Sequence, residues 1–399
     1  MIDEIEDIIK LLIKMLIRAG AHLFYVFPVK NNRILFMCQE MDNYCCNPKY
    51  IHRYMQEKYG NDYEYIWVFK KPNEHNIIAG VKFIKYYSLQ RLFYMATSKI
   101  IVCNIQPDSL YPSRKNQLII NTWHAGGAYK KVGKTITKGK KDEWSYIKQL
   151  CDVNVYLSSS NLFTKYNILE GYPIKGEIWN TGMPRNDIFF NKEKVEITKN
   201  NVKNLFNIEN RIILYAPTYR GEMKVAKSSE IFIDFDKIST YAEFYFNEKV
   251  SILIRGHYLT RDLHITNNIK DVSSYPDMQE LLCAADILIT DYSSSIWDYS
   301  LLGRPCFLYV PDLDEYESED RGFFTPIETW PGIVCHDMEE LCYEIEHIDE
   351  NRCKEIARKH QEYAGSFENG LASEVVCKKI VDFCNIKDTK SKENNTIGG

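Results

Sequence analysis

One pattern constrains the fold of this chain more than any other: short apolar runs alternate with helix-length segments, and the series starts twice. Arg33 to Cys38, Tyr65 to Phe69, Val81 to Tyr86, Lys99 to Cys103, Leu118 to Ile120 and Val153 to Leu157 read as strands, and Ile178 to Asn180 leads into Thr181-Gly-Met-Pro-Arg-Asn-Asp187, a turn ending one domain. Between them, Asn47-Pro48 opens a predicted helix to Tyr59, Ser88 to Thr97 reads as a second, and Ser159-Ser160-Asn161 caps a third over Leu162 to Leu169. A polar hinge helix over Asn191 to Asn210 follows, and then the signal resumes. Ile212 to Tyr215, Val250 to Ile254, Ile287 to Thr290 and Cys306 to Val310 are strand-like, Met278 to Ala284 is helical, and Leu371 to Asn385 reads as a closing helix. Strand and helix alternating in this way mean open parallel sheets covered on both faces, the doubly wound α/β class. At 399 residues the chain exceeds one hydrophobic core, and two domains of roughly 180 residues are expected. The boundaries read as 1–20 for an N-terminal helix, 21–190 and 191–386 for the two domains, and 387–399 for a disordered tail.

Charge and cysteine usage exclude several classes of function. A net charge of −4 gives no basic excess for a nucleic-acid partner. Twelve cysteines are scattered without any Cys-x-x-Cys, and only Cys45 and Cys46 are adjacent, so they read as reduced, buried thiols rather than a zinc or redox motif. On a helix over residues 5 to 18, Glu6, Lys10, Lys14 and Arg18 fall at four-residue steps and apolar residues cover the rest. The apolar run is far short of the about 20 residues that a membrane span needs. The helix is predicted to lie in the plane of an anionic membrane surface, making the protein peripheral on the cytoplasmic face; packing on the protein's own surface is the alternative.

Site chemistry concentrates at strand ends. Asn121-Thr-Trp-His-Ala-Gly-Gly-Ala-Tyr-Lys-Lys-Val-Gly133 places His124 after an apolar run, before the small-residue turn Ala125, Gly126, Gly127, Ala128 and the Lys130-Lys131 pair. Such a turn lets backbone N–H groups approach an anion closely. In the second half, Pro217, Thr218, Tyr219 and Arg220 follow one strand, Arg255 and His257 a second, and Asp291 through Ser295 a third. Parallel strands end on one edge of their sheet, so these groups are expected to line one crevice. The serine turn, with Ser293 and Ser294, opens a helix: alone it reads as a cap, but beside the other strand ends it reads as an anion site, with Asp298 one turn further to fix a ligand hydroxyl.

Taken in series, these blocks resemble the CDP-glycerol:poly(glycerophosphate) glycerophosphotransferase family of teichoic acid and capsule synthesis. The matching blocks are Trp123-His124, Gly182-Met-Pro-Arg185, Tyr215-Ala-Pro-Thr-Tyr-Arg220, Arg255-Gly-His257, Ile289-Thr-Asp-Tyr-Ser-Ser294 with Asp298, and Arg321-Gly322. The chain departs from the family's usual His-Gly-Thr-Pro, carrying His124-Ala-Gly-Gly127 instead. The resemblance implies a GT-B architecture, with an N-terminal acceptor domain and a C-terminal domain that binds the CDP-alcohol. It implies transfer of glycerol phosphate, or alternatively ribitol phosphate, from a CDP-alcohol to a polymer or lipid-linked glycan acceptor. His124 is the expected base and His257 the group that stabilises the leaving phosphate; Pro184 belongs to the substrate-contacting blocks, Arg185 and Arg220 are expected on the pyrophosphate, and Arg321 on substrate. No cofactor and no metal ligand set is expected, Asp291 being the nearest candidate. A UDP-sugar glycosyltransferase or epimerase, and an idle nucleotide-binding subunit of a capsule assembly complex, are the other readings.

Overall fold

The computed structural model describes residues 16–38, 41–75, 77–105, 113–136, 153–172, 174–218, 233–256, 268–319 and 322–386. Their strands form two all-parallel sheets. The first is seven-stranded: β1 (Lys30–Met37), β2 (Glu64–Phe69), β3 (Val81–Lys85), β4 (Ser98–Cys103), β5 (Leu118–Asn121), β6 (Val155–Ser158) and β7 (Glu177–Asn180), in the order β3-β2-β1-β4-β5-β6-β7. The second is six-stranded: β8 (Arg211–Tyr215), β9 (Val250–Ile254), β10 (Ile269–Asp271), β11 (Ile287–Thr290), β12 (Cys306–Tyr309) and β13 (Ile333–Cys335), in the order β10-β9-β8-β11-β12-β13. Each order reverses beside its own first strand, which is the Rossmann arrangement with its crevice at the carboxyl edge.

Alternation along the strands builds two core layers per sheet. Leu35, Met37, Ile101, Cys103 and Ile119 enter one layer, while Ile34, Phe36, Ile100, Val102 and Ile120 enter the other. The register aligns the strand ends: Met37 lies beside Cys103, and Cys103 beside Asn121. In the second sheet Ile254 lies beside Tyr215, and Tyr215 beside Ile289. The residues that follow these two rows are therefore delivered together to one edge.

The closing helix departs from the boundary expected for it. Ala372–Asn385 returns to the first sheet, where Val376, Cys377, Ile380 and Cys384 pack in the layer of Ile34 and Phe36. Its N-terminus is held from the first domain. Asp187, in the 3-10 turn Pro184–Phe190, accepts from the N–H groups of Ala372 at 2.9 Å and Ser373 at 2.7 Å. The stretch Thr181 to Asp187 thus leads into an anchoring turn rather than simply closing a domain.

Because a side-chain oxygen that caps free N–H groups typically contributes about 1 kcal/mol, Asp187→Ala should lower stability by roughly 1–2 kcal/mol, more than a surface change would. Urea unfolding of the two proteins measures this; coincident midpoints would show that the closing helix docks without its cap.

Candidate active site

Among the described residues, Thr218 and Asp291 join two strand ends of the second sheet, and the loop of His124 reaches that domain through Arg185 and Asp298. His124 follows β5 and is only partly exposed. Its Nδ1 lies 3.2 Å from the carbonyl oxygen of Asn104, the residue after β4. A carbonyl only accepts, so Nδ1 carries the proton and Nε2 presents its lone pair. Nε2 has no hydrogen-bond partner among the described residues. Burial pushes the imidazole down to about 4; the Asn104 hydrogen bond opposes this and the Arg185 charge adds to it. The ring is therefore neutral at physiological pH, in the tautomer a general base needs.

Local strain sets this geometry. Trp123 adopts a left-handed backbone with φ 53°, a conformation that costs a bulky residue about 1–3 kcal/mol. The side chain of Asn121 accepts from the Trp123 N–H at 2.9 Å, and Asn47 Nδ2 donates to the carbonyls of Thr122 and Trp123 at 3.1 and 3.0 Å. Asn47 is fully buried at the start of the helix Cys46–Tyr59. The indole of Trp123 stacks on His124 with an interplanar angle of 14°.

Two residues expected on the ligand instead hold each other. Arg185 Nη2 lies 2.7 Å from Asp298 Oδ2, and the two residues are 5% and 2% exposed. The same guanidinium donates to the His124 carbonyl at 2.6 Å and contacts Cys46 Sγ at 3.2 Å, while the Arg185 N–H donates to Asn47 Oδ1 at 3.1 Å. Gln279 Nε2 donates to Asp298 at 3.2 Å. Arg185 is thus a bolt between the histidine loop and the helix Ser295–Ser300, and in this structure neither it nor Asp298 faces the crevice for pyrophosphate or hydroxyl. Pro184 beside it is buried, and its carbonyl accepts from Ser373 Oγ at 3.3 Å.

The small-residue turn is also spent on the domain interface. A Cβ on Gly126 would stand 2.1 Å from Trp297 Cδ1, so only glycine allows the contact. Ala125, Gly127 and Ala128 are buried with it, and Tyr129 enters the second domain's core against Trp330, its hydroxyl 3.0 Å from His360 Nε2. Beyond Tyr129 the chain pairs with the second domain: the Lys131 N–H donates to the Gly322 carbonyl at 3.1 Å and Phe324 N–H to Tyr129 at 2.7 Å. Close backbone approach is required here, as expected, but its partner is an indole.

In the second domain, Thr218 donates through both N–H and Oγ1 to Asp291 Oδ1, each at 2.7 Å, which fixes half-buried Pro217 and Thr218 against the serine turn. Ser293 and Ser294 remain half-exposed, with Ser293 Oγ 2.9 Å from Ser295 Oγ. Arg255 is mostly enclosed. Burial pushes its guanidinium below the usual range against the pull of Asp277 and Cys45, and its buried Nη1 has no partner among the described residues. Tyr219, Arg220, His257 and Arg321 lie outside the described residues. Sequence reasoning passed over Asn47, Lys49 and Glu368. Lys49 pairs with Asp277 at 2.5 Å and Glu280 at 2.7 Å across the interface, and Glu368 accepts from Trp297 Nε1, Asn186 Nδ2 and the Met183 N–H. The available signal for Asn47 was its place before Pro48 at the start of a helix; no local pattern marked Lys49 or Glu368.

Two Rossmann-type domains, joined across their carboxyl edges, define a GT-B architecture. The family model for CDP-glycerol:poly(glycerophosphate) glycerophosphotransferases matches residues 20–382, and the chain belongs to that family. It is 32% identical over 397 residues to a teichoic acid glycerol-phosphate transferase of Staphylococcus aureus, covering 94% of this chain and 99% of that protein. Against a teichoic acid poly(glycerol phosphate) polymerase of Staphylococcus epidermidis it is 31% identical over 383 residues, covering 87% of this chain but only 50% of that protein's length. Its fold matches the wall teichoic acid polymerase TagF, solved as a histidine variant soaked with CDPG, with a TM-score of 0.79 at 26% identity over 96% of this chain and 98% of that one.

Replacing Arg185 with Met strands the Asp298 carboxylate in the interface and should cost about 3–5 kcal/mol, whereas Arg185→Met with Asp298→Leu should recover most of it. Chemical denaturation of the two proteins beside the wild type decides this. A single-variant loss under about 1 kcal/mol, as for an exposed pair, would show that the bolt is not holding the domains.

Proposed function

We propose that this chain transfers a polyol phosphate, glycerol phosphate before ribitol phosphate, from a CDP-alcohol to a hydroxyl of a teichoic-acid-like or capsular polymer, releasing CMP. Family membership and the relatives named for glycerol phosphate support the donor and reaction; a relative named as a ribitol-phosphate primase, 29% identical over 303 residues, keeps ribitol as the second choice. The observation that carries the reading is the locked histidine: Nδ1–H on the Asn104 carbonyl and Nε2 open. A hydroxyl becomes a competent nucleophile when its proton passes to Nε2. Its oxygen then attacks the phosphorus that bears the polyol, the bond from that phosphorus to the bridging oxygen breaks, and CMP leaves with the electron pair. Arg255, with its unused Nη1, and the half-exposed Ser293 and Ser294 suit the developing charge, together with His257 from the sequence. We further propose that no bound metal is needed, since Asp291 and Asp298 already accept from Thr218 and Arg185.

CMP release from CDP-glycerol in the presence of a glycerol-phosphate-primed acceptor tests this, with CDP-ribitol and UDP-sugars in parallel. Release should require acceptor and survive chelation of divalent cations. Binding of CDP-glycerol with no release would make the chain an idle nucleotide-binding subunit, and UDP release from a UDP-sugar would make it a glycosyltransferase.

His124→Ala should reduce turnover about 10²–10⁴-fold with little change in donor affinity. A base works only when unprotonated, and burial holds His124 near 4. The histidine limb of kcat/KM should therefore lie near pH 4, with a level profile from about pH 8 down to about pH 5. A limb at the ordinary histidine value, with the protein still folded, would remove His124 as the base.

The protein is also proposed to dock peripherally on an anionic membrane, on the cytoplasmic face. Of the helix expected over residues 5 to 18 only residues from Leu16 onward are described; Leu16, Leu23 and Val26 are 72%, 74% and 80% exposed. Among the described residues no helix is long and apolar enough to cross a membrane. Lys10→Glu, Lys14→Glu and Arg18→Glu together should release the protein from anionic vesicles, each charge being worth roughly 1 kcal/mol at the surface, and leave turnover on a soluble acceptor intact. Unchanged vesicle sedimentation, or loss of the fold, would sink the anchor.

A further inference from the structure

We propose that Cys38 and Cys45 form a modification site beside the crevice, a thiol pair that closes into a disulfide by exchange with a low-molecular-weight disulfide and thereby slows the transferase. The spacing of cysteines in the sequence, without any Cys-x-x-Cys, does not reveal this pair, which the fold brings together. Cys38 follows β1 at the carboxyl edge; Cys45 stands immediately before the helix Cys46–Tyr59. Their Sγ atoms are 3.3 Å apart, Cys38 Sγ–H also reaches the Cys45 carbonyl at 3.3 Å, and Asn104 Nδ2 donates to Cys38 Sγ at 3.5 Å. Bond formation needs an approach of only about 1 Å.

None of the described cysteines is in a disulfide, and Cys45 alone among them is not buried, so it is the sulfur that a soluble disulfide can reach. The hydrogen bond from Cys38 pulls the Cys45 thiol down; burial and Asp277 oppose this, and Arg255 and Lys49 assist it. Thiolate character of this kind marks reactive cysteines. The Cys45 thiolate attacks one sulfur of the small disulfide and expels a thiolate. Cys38 then attacks the Cys45 sulfur and expels the second. Two electrons pass from the protein sulfurs to the small disulfide, and the two thiol protons end on its released thiols.

The consequence follows from what Cys45 precedes. Cys46 contacts Arg185, Asn47 holds the carbonyls before His124, and Lys49 pairs with Asp277. Drawing Cys45 toward Cys38 shifts the start of that helix, and a misplacement of about 1 Å can cost a catalytic site about 10²-fold. This effect on turnover rests on the transferase reading; the linkage itself does not.

The reduced full-length protein is incubated with oxidised glutathione, free thiols are alkylated, and the tryptic peptide spanning residues 34–49 is weighed. Compared with the fully alkylated peptide it should lack two alkyl groups, with no hydrogens in their place, and this form should vanish in Cys38→Ser and in Cys45→Ser but persist in Cys46→Ser. Full alkylation, a stable glutathione adduct, or a linkage that survives Cys38→Ser would overturn the pair. CMP release by the oxidised wild type should fall at least about tenfold and return with dithiothreitol, while Cys38→Ser should not respond to the oxidant. A linkage with unchanged turnover overturns the switch, whereas absent turnover in the fully reduced protein speaks against the transferase reading and leaves the peptide result standing.

Discussion

A buried ion pair holds this structure's working parts in register. Arg185, from the end of the first domain, reaches Asp298 on the second-domain helix Ser295–Ser300 and keeps another N–H on the carbonyl of His124. Taking two charges out of water is costly, so such a pair is poor evidence of net stability; its value lies in geometry. A guanidinium fork satisfied on one side by a carboxylate and on the other by a backbone carbonyl admits few arrangements. The catalytic candidate is thereby positioned by both domains, not by its own alone.

That arrangement explains why the residues after His124 are so small. The chain leaves β5, turns through a strained tryptophan, and crosses into the second domain, where Tyr129 is a core residue and the backbone pairs with Gly322 through Phe324. Gly126 makes room for Trp297, whose Nε1 in turn reaches Glu368 at 3.0 Å. Burial lifts Glu368 to about 7, with its three hydrogen-bond donors pulling the other way. Trp297, Glu368, Arg185 and Asp298 form one continuous polar and aromatic seam, and the histidine loop is sewn along it.

How much of this was legible in sequence follows from the range of each signal. The buried strands announce themselves as apolar runs, so both sheets were read, except for β7, which has no buried residue, and β10 and β13, which are only three residues long. The helix Glu350–Ala364 escaped because its buried stripe is Cys353, Ala357, His360 and Ala364, with small or polar residues where bulky apolar ones would signal a helix. At the site, His124 and the strand ends were found because position after a strand is a local property. The partners of Arg185 and Asp298 were not, since 113 residues separate the pair and a charge in a motif looks alike whether it meets a ligand or another side chain. Gly126 shows the same limit: the need for a missing Cβ was readable, but what fills the space was not.

The account turns on the protonation state of one ring. A ¹⁵N-resolved NMR titration of His124 reads it directly, without acceptor, donor or turnover. The account predicts a neutral ring protonated at Nδ1 across the physiological range, beginning to take a second proton only as pH approaches about 4. An ordinary histidine titration near neutrality, or a neutral form protonated at Nε2, would contradict it.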